Sequence, residues 1–382
     1  MKFGFLSCAV LGMFFLGCQK EDVKTEIIDE IGVVPIVQEL DSGIVPYQMF
    51  ASSHGTILFQ EDDPNMLNLN QEYRVQTSGN LNGEASWLRN RAITETPSGR
   101  LFHAFSPSPG DQLLLEEIDP GGNNLSLIML KSGFKELRVL ALVAMDENRI
   151  LIHLIHGNSG NQYSTYIYEY NLLTRELVLH YSNPELLQFR AYEKSSDGGH
   201  WLMGYWKTKS SNQGPQGSVF YFDSSWNLVK EFMFSDMGYG AYYNNRLGLI
   251  RTGKPGEVNV FYPVQGSVPG HGVVFGLGYF RLNTAGEVLS QDFYLGLYGH
   301  EISDIWYLDG TVNVLSKELW GVNVTHSMAL TRFKEDGSVV SSKFIRNTSN
   351  YYGFCALADM NNGKAKVLTV DSKSGKMILL NF

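Results

Sequence analysis

One unit recurs along this 382-residue chain at intervals of roughly fifty residues: a strand, a turn around Asp or Asn, and a second strand. It reads LLLEEIDPGGNNLSLIML (113–130), TYIYEYNLLTRELVLHY (165–181), SVFYFDSSWNLVKEFMF (218–234), YFRLNTAGEVLSQDFYL (279–295) and ALTRFKEDGSVVSSKFI (329–345). TILFQEDDPNMLNL (56–69) fits at the start, and MILLNF (377–382), cut off at its turn, fits at the end. The turn markers are Asp63, Asp119, Asn171, Asp223, Asn283, Lys334 and Asn381. Between the hairpins lies a second strand pair, as in ELRVLALVAM (136–145) with RILIHLIH (149–156), and LLQFRAYEKS (186–195) with HWLMGYW (200–206). The turns inside these pairs are rich in Asp, Asn and Gly, which favour tight or left-handed backbone.

Four antiparallel strands per unit, repeated about seven times, predict an all-β chain folded as a β-propeller of four-stranded blades. Seven blades fit best and six is the alternative; two β-sandwiches with coincidental hairpin spacing is the competing architecture. A single blade has two bare edges and little core, so blades stack into a ring to bury their faces. The last unit ends after one hairpin strand, so another segment has to complete it. IGVVPIVQEL (31–40), apolar and β-branched, or the strand at 44–52, is expected to do so. SSDGGHWLMGYW followed by SVFYFDSSWNLVKEF resembles the propeller repeats of Bacteroidota lipoproteins, a likeness of fold that implies no catalytic residue.

The N-terminus has a different character. Met1-Lys2 precedes an apolar run from Phe3 to Leu16, then Gly17, Cys18 and the polar Gln19-Lys20-Glu21-Asp22. A basic start, a brief apolar core and a small residue describe a secretory signal peptide over residues 1–17. The run is shorter than the ~20 residues a membrane-spanning helix needs. Phe15-Leu16-Gly17-Cys18 resembles a bacterial lipobox, which implies lipid on the Cys18 thiol. Gln19, Lys20, Glu21 and Asp22 resemble the acidic export signal that sends Bacteroidota lipoproteins to the outer surface. The resemblance implies a protein lipid-anchored in the outer membrane and facing the exterior, with residues 18–30 an acidic flexible tether and 31–382 the propeller.

Composition narrows the partners. Net charge is −9, and removing Lys2 with the signal makes the remainder more acidic, so nucleic acid is not an expected ligand. Of three cysteines, Cys8 leaves with the signal and Cys18 takes lipid. Cys355, alone in an apolar strand, is expected to be a small buried hydrophobe. Gly-rich phosphate loops, nucleophile elbows and paired-Cys motifs are absent from the sequence, and no cofactor or metal is expected.

With each hairpin turn counted as the turn between blade strands 2 and 3, the 1–2 and 3–4 loops share one face of the disc. They are the longer set: 207–217, 263–272 and 316–326, with 235–243, 295–301 and 346–353. Tyr239, Tyr298 and Tyr352 each precede a Gly there, and Trp206, His300 and Trp320 lie in or beside the same loops. Exposed aromatics on loops held by a rigid scaffold suit stacking on sugars or gripping a peptide, so these six are the candidate ligand-binding residues. His153 and His156 are three apart in a strand and point to opposite faces, which suits separate packing more than shared ligation. Glu61-Asp62-Asp63 and Glu116-Glu117-Asp119 fall at what read as equivalent blade positions, which argues for a role in the turn.

The sequence therefore favours a surface-anchored binding or scaffold module for a glycan, peptide or protein. A propeller enzyme acting on glycans, with paired carboxylates at the channel, is the alternative; a structural subunit of a surface complex is a third. Cys18→Ser is expected to move the protein from the membrane to the soluble fraction on cell fractionation. Ala at Lys20, Glu21 and Asp22 should leave it anchored but shielded from external protease; unchanged cleavage would refute the export signal.

Overall fold

The computed structural model describes residues 28–30, 36–40, 46–60, 65–69, 75–80, 92–107, 110–158, 162–185, 187–211, 214–233, 248–251, 254–268, 272–295, 301–308, 310–317, 326–347, 352–361, 364–371 and 377–381, and the statements below concern these. Two N-terminal strands come first, β1 (Ile28–Glu30) and β2 (Ile36–Leu40). Blade one holds β3 (Pro46–Ser52), β4 (Gly55–Gln60), β5 (Asn65–Leu69) and β6 (Val75–Asn80). Blade two holds β7 (Ala92–Glu95), β8 (Leu101–Phe105), β9 (Gln112–Ile118) and β10 (Asn124–Ser132). Blade three holds β11 (Arg138–Ala144), β12 (Arg149–Asn158), β13 (Gln162–Asn171) and β14 (Leu177–Asn183). Blade four holds β15 (Leu187–Lys194), β16 (His200–Ser211), β17 (Gly214–Phe222) and β18 (Leu228–Met233). Blade five holds β19 (Gly248–Arg251), β20 (Glu257–Val268), β21 (Gly272–Asn283) and β22 (Val288–Leu295). Blade six holds β23 (Glu301–Leu308), β24 (Thr311–Lys317), β25 (His326–Lys334) and β26 (Val339–Asn347). Blade seven holds β27 (Tyr352–Asn361), β28 (Lys364–Asp371) and β29 (Met377–Asn381).

These form seven sheets, antiparallel except for β1 at the edge of blade six, and the fold is the expected β-propeller. The first strands of successive blades touch from β7 through β11, β15, β19, β23 and β27 to β3, so they encircle the axis. Blade seven is completed by β2, whose Ile36 and Leu40 lie opposite Leu380 and Met377 of β29. Of the two closing segments considered, the first is thus the one used, through its described residues 36–40, and 46–52 opens blade one. Ile28–Glu30, placed by the sequence in the tether, pairs in parallel with Ser342–Phe344 on the outer edge of blade six.

Alternation within the strands explains the ring. Second and third strands carry apolar residues on both faces, because each face meets a neighbouring blade. In β12, Ile150, Ile152 and Leu154 pack with Phe102, Leu113 and Leu115 of blade two. Leu151 turns the other way, with Phe189, Leu202 and Phe220 of blade four. Blades four and five meet through Trp201, Met203 and Val219 against Val258, Val260 and Tyr262. Phe261 and Tyr279 meet Val312, Val314 and Phe333 of blade six. Burying each such side chain contributes ~1.5–3 kcal/mol relative to exposure. His153 and His156 part as expected: His153 lies edge-on to Phe189, and His156 stacks on Tyr166.

The hairpin markers are the first residues of the turns between third and fourth strands. Asp119 receives the backbone N–H of Asn123 on Oδ1 and its side-chain amide on Oδ2, both at 2.8 Å. Asp223 and Asn227 repeat the pair, and Asn283 Oδ1 accepts the N–H of Glu287. The fourth turn residue is left-handed, which is why Gly122, Gly286 and Gly337 stand there. The strand numbering from sequence is therefore off by one: hairpin turns are 3–4 turns, the 207–217 type are 2–3 loops, and the 235–243 type cross between blades. The two latter sets still share a face, called here the loop face; the 1–2 and 3–4 turns make the turn face.

The first hairpin breaks the series. Asp63 falls between β4 and β5, a 2–3 connection on the loop face, while Asp119 is on the turn face. Glu61-Asp62-Asp63, outside the described residues, are thus not equivalent to Glu116-Glu117-Asp119. Every hairpin of a blade has the same strand–turn–strand pattern, so pattern alone does not say which one it is. Glu116 is instead buried against His103 at 2.7 Å, and Glu117 pairs with Arg100 at 2.9 Å.

Blade four has Trp226 at φ 64° where blades two, five and six have Gly, and in blade three the left-handed residue is Arg175 at φ 61°. The Trp226 indole stacks on His200, with centroids 3.9 Å apart, and on His180 of blade three at 5.0 Å. Tyr192 Oη lies 3.0 Å from His200 Nδ1. Burial, reinforced by the charges of His180, Lys194 and Arg149, pulls the His200 pKa down to about 4. Folding thus favours the neutral imidazole. Its contribution is complete above the unfolded pKa of ~6.5 and is lost as pH falls from there towards 4, by at most about 3 kcal/mol. Urea midpoints measured across that window should fall more steeply for the wild type than for His200→Gln. Parallel profiles would contradict the assignment.

Candidate functional site

The described part of the loop face is best defined where blade two hands over to blade three. After β10 the chain runs through Gly133-Phe134-Lys135-Glu136-Leu137 into the innermost strand, β11. Phe134 is buried and anchors the link. Its N–H donates to Asp111 O at 3.1 Å, and Leu137 N–H donates to Gly110 O at 2.8 Å. Lys135 O accepts the N–H of Gly157 at 2.9 Å. Held from both blades, Glu136 sits at φ 49°, a left-handed conformation that costs a residue with a Cβ ~1–2 kcal/mol.

That conformation lays the Glu136 carboxylate over Gly157, where a Cβ would come within 3.1 Å of Oε2. Tyr163, near the start of β13, donates its hydroxyl to Glu136 Oε2 at 2.9 Å. Arg138, first residue of β11, brings Nη2 to 3.4 Å from the Tyr163 hydroxyl and its guanidinium carbon to 5.3 Å from the ring centroid. Carboxylate, phenol and guanidinium thus lie across the loop-face end of blade three. Glu136 and Arg138 are exposed and Tyr163 is half-buried. Burial and the bond to Glu136 raise the Tyr163 pKa, against an opposing effect of Arg138. The phenol is therefore a donor at neutral pH and a poor proton acceptor.

The six residues named from sequence are not brought together among the described residues. Trp206 lies near the loop-face end of β16, opposite Leu187 and Gln216, and Tyr352 opens β27 opposite Asp371. Their backbones are on the expected face. Tyr239, Tyr298, His300 and Trp320 lie outside the described residues, as do Cys18, Gln19, Lys20, Glu21 and Asp22. Cys355 is in β27, opposite Thr369. Sequence reasoning passed over Glu136, Arg138 and Tyr163. The one available signal was NSGNQY (158–163), which sets a Tyr beside a Gly-containing loop as in the favoured segments. Among the described residues no group of three His, Cys, Asp or Glu is placed to hold a metal ion, and no helix is long and apolar enough to cross a membrane.

The chain is similar in fold to the polysaccharide lyase Uly1, with 7% identity, 95% of this chain and 94% of that chain covered, and a TM-score of 0.53. It also matches the β-propeller domain of the trilobed protease from Pyrococcus furiosus, at 10% identity, 77% and 81% coverage and a TM-score of 0.43. A GH93 alpha-L-arabinofuranosidase of Fusarium graminearum matches at 10% identity, 76% and 92% coverage and a TM-score of 0.43. At such identities the likeness is one of fold alone. No family model matches the chain. No curated protein matches it.

The strain at Glu136 is testable. Asn tolerates left-handed backbone, so Glu136→Asn should raise the unfolding free energy by roughly 0.5 kcal/mol, read from urea denaturation. A loss of stability would show that the Tyr163 bond outweighs the strain.

Proposed function

We propose that this chain is a β-propeller anchored by lipid at Cys18 to the outer face of the outer membrane, binding a glycan through its loop face. Gln19–Asp22 serve as the export signal. The observation that supports the binding role is the Glu136–Tyr163–Arg138 cluster. An aromatic ring flanked by a fixed acceptor and a fixed donor fork matches a sugar, whose ring offers an apolar face with hydroxyls around it. Strain held in place by hydrogen bonds from two blades keeps the three groups in position before a ligand arrives, which lowers the ordering cost of binding. A Tyr163 held protonated favours recognition over proton abstraction. The wider aromatic loops of blades four to seven would extend the contact along the chain of sugars.

Glycan-array binding by the intact chain in detergent tests this. Wild type should bind at least one glycan class, and Arg138→Ala and Tyr163→Ala should each weaken it about tenfold or more. Failure of the folded wild type to bind any glycan, or equal binding by both variants, would overturn the reading.

A further inference from the structure

Among the described residues, blade six alone has a fifth strand. Its outer strand β26 carries β1, with Ile28, Asp29 and Glu30 opposite Ser342, Lys343 and Phe344. The outer strands of blades two to five, β10, β14, β18 and β22, end their sheets. Residues 19–27 separate Ile28 from Cys18. Fully extended, that stretch spans at most ~33–36 Å from one Cα to the other.

Direction and position both follow from this pair. β26 starts at Val339, just past the 3–4 turn in which Lys334 N–H donates to Ser338 O at 2.8 Å. It therefore runs from the turn face to the loop face, and β1, being parallel, runs the same way. The chain reaches Ile28 from the turn-face side. In a ring of seven, the point across from blade six is the junction of blades two and three. Blades seven, one and two lie between them on one side, and five, four and three on the other. That junction holds Glu136, Arg138 and Tyr163, on the loop face. The start of β1 is thus across the ring from the cluster and directed to the other face. After Glu30 the chain enters β2 of the adjacent blade seven, so β1 is held from its C-terminal side as well.

We propose that β1 is an orienting clip: it holds the outer edge of blade six towards the lipid bilayer and turns the junction of blades two and three away from it. This rests on the lipid anchor at Cys18 proposed above. A short tether fixed at one blade keeps that blade near the headgroups, whichever way the rest of the disc leans. The loop-face cluster then faces the medium, where a long polysaccharide approaches without meeting the membrane. Without β1 the first fixed strand would be β2, and the reach from Cys18 to Ile36 would grow to ~59–65 Å. The hold on the disc would loosen accordingly. Ile28–Glu30 therefore does more than cover a bare sheet edge.

Energy transfer to the bilayer tests the proposal. Val340 of β26 and Leu127 of β10 are exposed on the outer strands of blades six and two. Val340→Cys and Leu127→Cys are each combined with Cys355→Ala in the intact chain, so that the introduced thiol takes the fluorophore. The proteins are placed in phosphatidylcholine vesicles carrying a rhodamine-headgroup lipid, and flotation of the vesicles reports attachment. Transfer from position 340 should exceed that from 127 several-fold. In a strand, adjacent N–H groups point to opposite sides, so Asp29→Pro/Glu30→Pro removes one that faces β26. That double variant should still float and should bring the two transfers close together. Equal transfer from both positions without the prolines, or a difference that the prolines leave unchanged, would overturn the clip while the anchor stands. A chain that does not float overturns the anchor at Cys18 and the clip with it.

Discussion

The pairing of β2 with β29 is the contact on which the rest of the molecule depends. Blade seven receives three strands from the C-terminal end of the chain and its fourth from residues 36–40. Without it β29 would be an edge, and the first and last blades would be held only through β27 and β3. The closure joins segments separated by nearly the whole chain. Its entropic cost is a late, long-range one, offset by hydrogen bonds and apolar contacts made only when the ring is complete.

Closure matters because blade faces have no other partners. Each central strand is apolar on both sides, so a blade taken out of the ring exposes two greasy surfaces. Neighbouring blades also lock at their turns. Ser53 donates its N–H to Glu95 at 2.9 Å and 3.0 Å from blade one to blade two. Ser98 donates its N–H to Glu147 at 2.9 Å from blade two to blade three. A rigid ring of this kind can hold a residue such as Glu136 in a conformation it would not adopt alone. The candidate site lies where blade two meets blade three, because there the link between blades is pinned from both sides.

Much of this architecture was legible because turn chemistry is local. Asp119, Asn171, Asp223 and Asn283 announce their turns through side chains that accept nearby backbone N–H groups. The Asp63 hairpin was legible as a hairpin but not as to which one, since antiparallel pairs in a blade share one alternation. Trp226 was unreadable for a different reason: its left-handed backbone is imposed by stacking between His180 and His200, one from each of two blades. The loop-face cluster was hidden similarly. Glu136 and Arg138 belong to the link into β11 and Tyr163 to β13, and only the pinning of that link to Gly110, Asp111 and Gly157 brings them together. Periodicity reports which strands exist; it carries no information on which loop residues the strands deliver to one another.

Hydrogen exchange of the intact chain, followed peptide by peptide, tests ring closure most directly. Amides of Ile36–Leu40 should exchange slowly and together with those of Met377–Asn381, opening as one unit. Exchange of 36–40 at free-peptide rates while 377–381 stays protected would show that β2 does not close the ring.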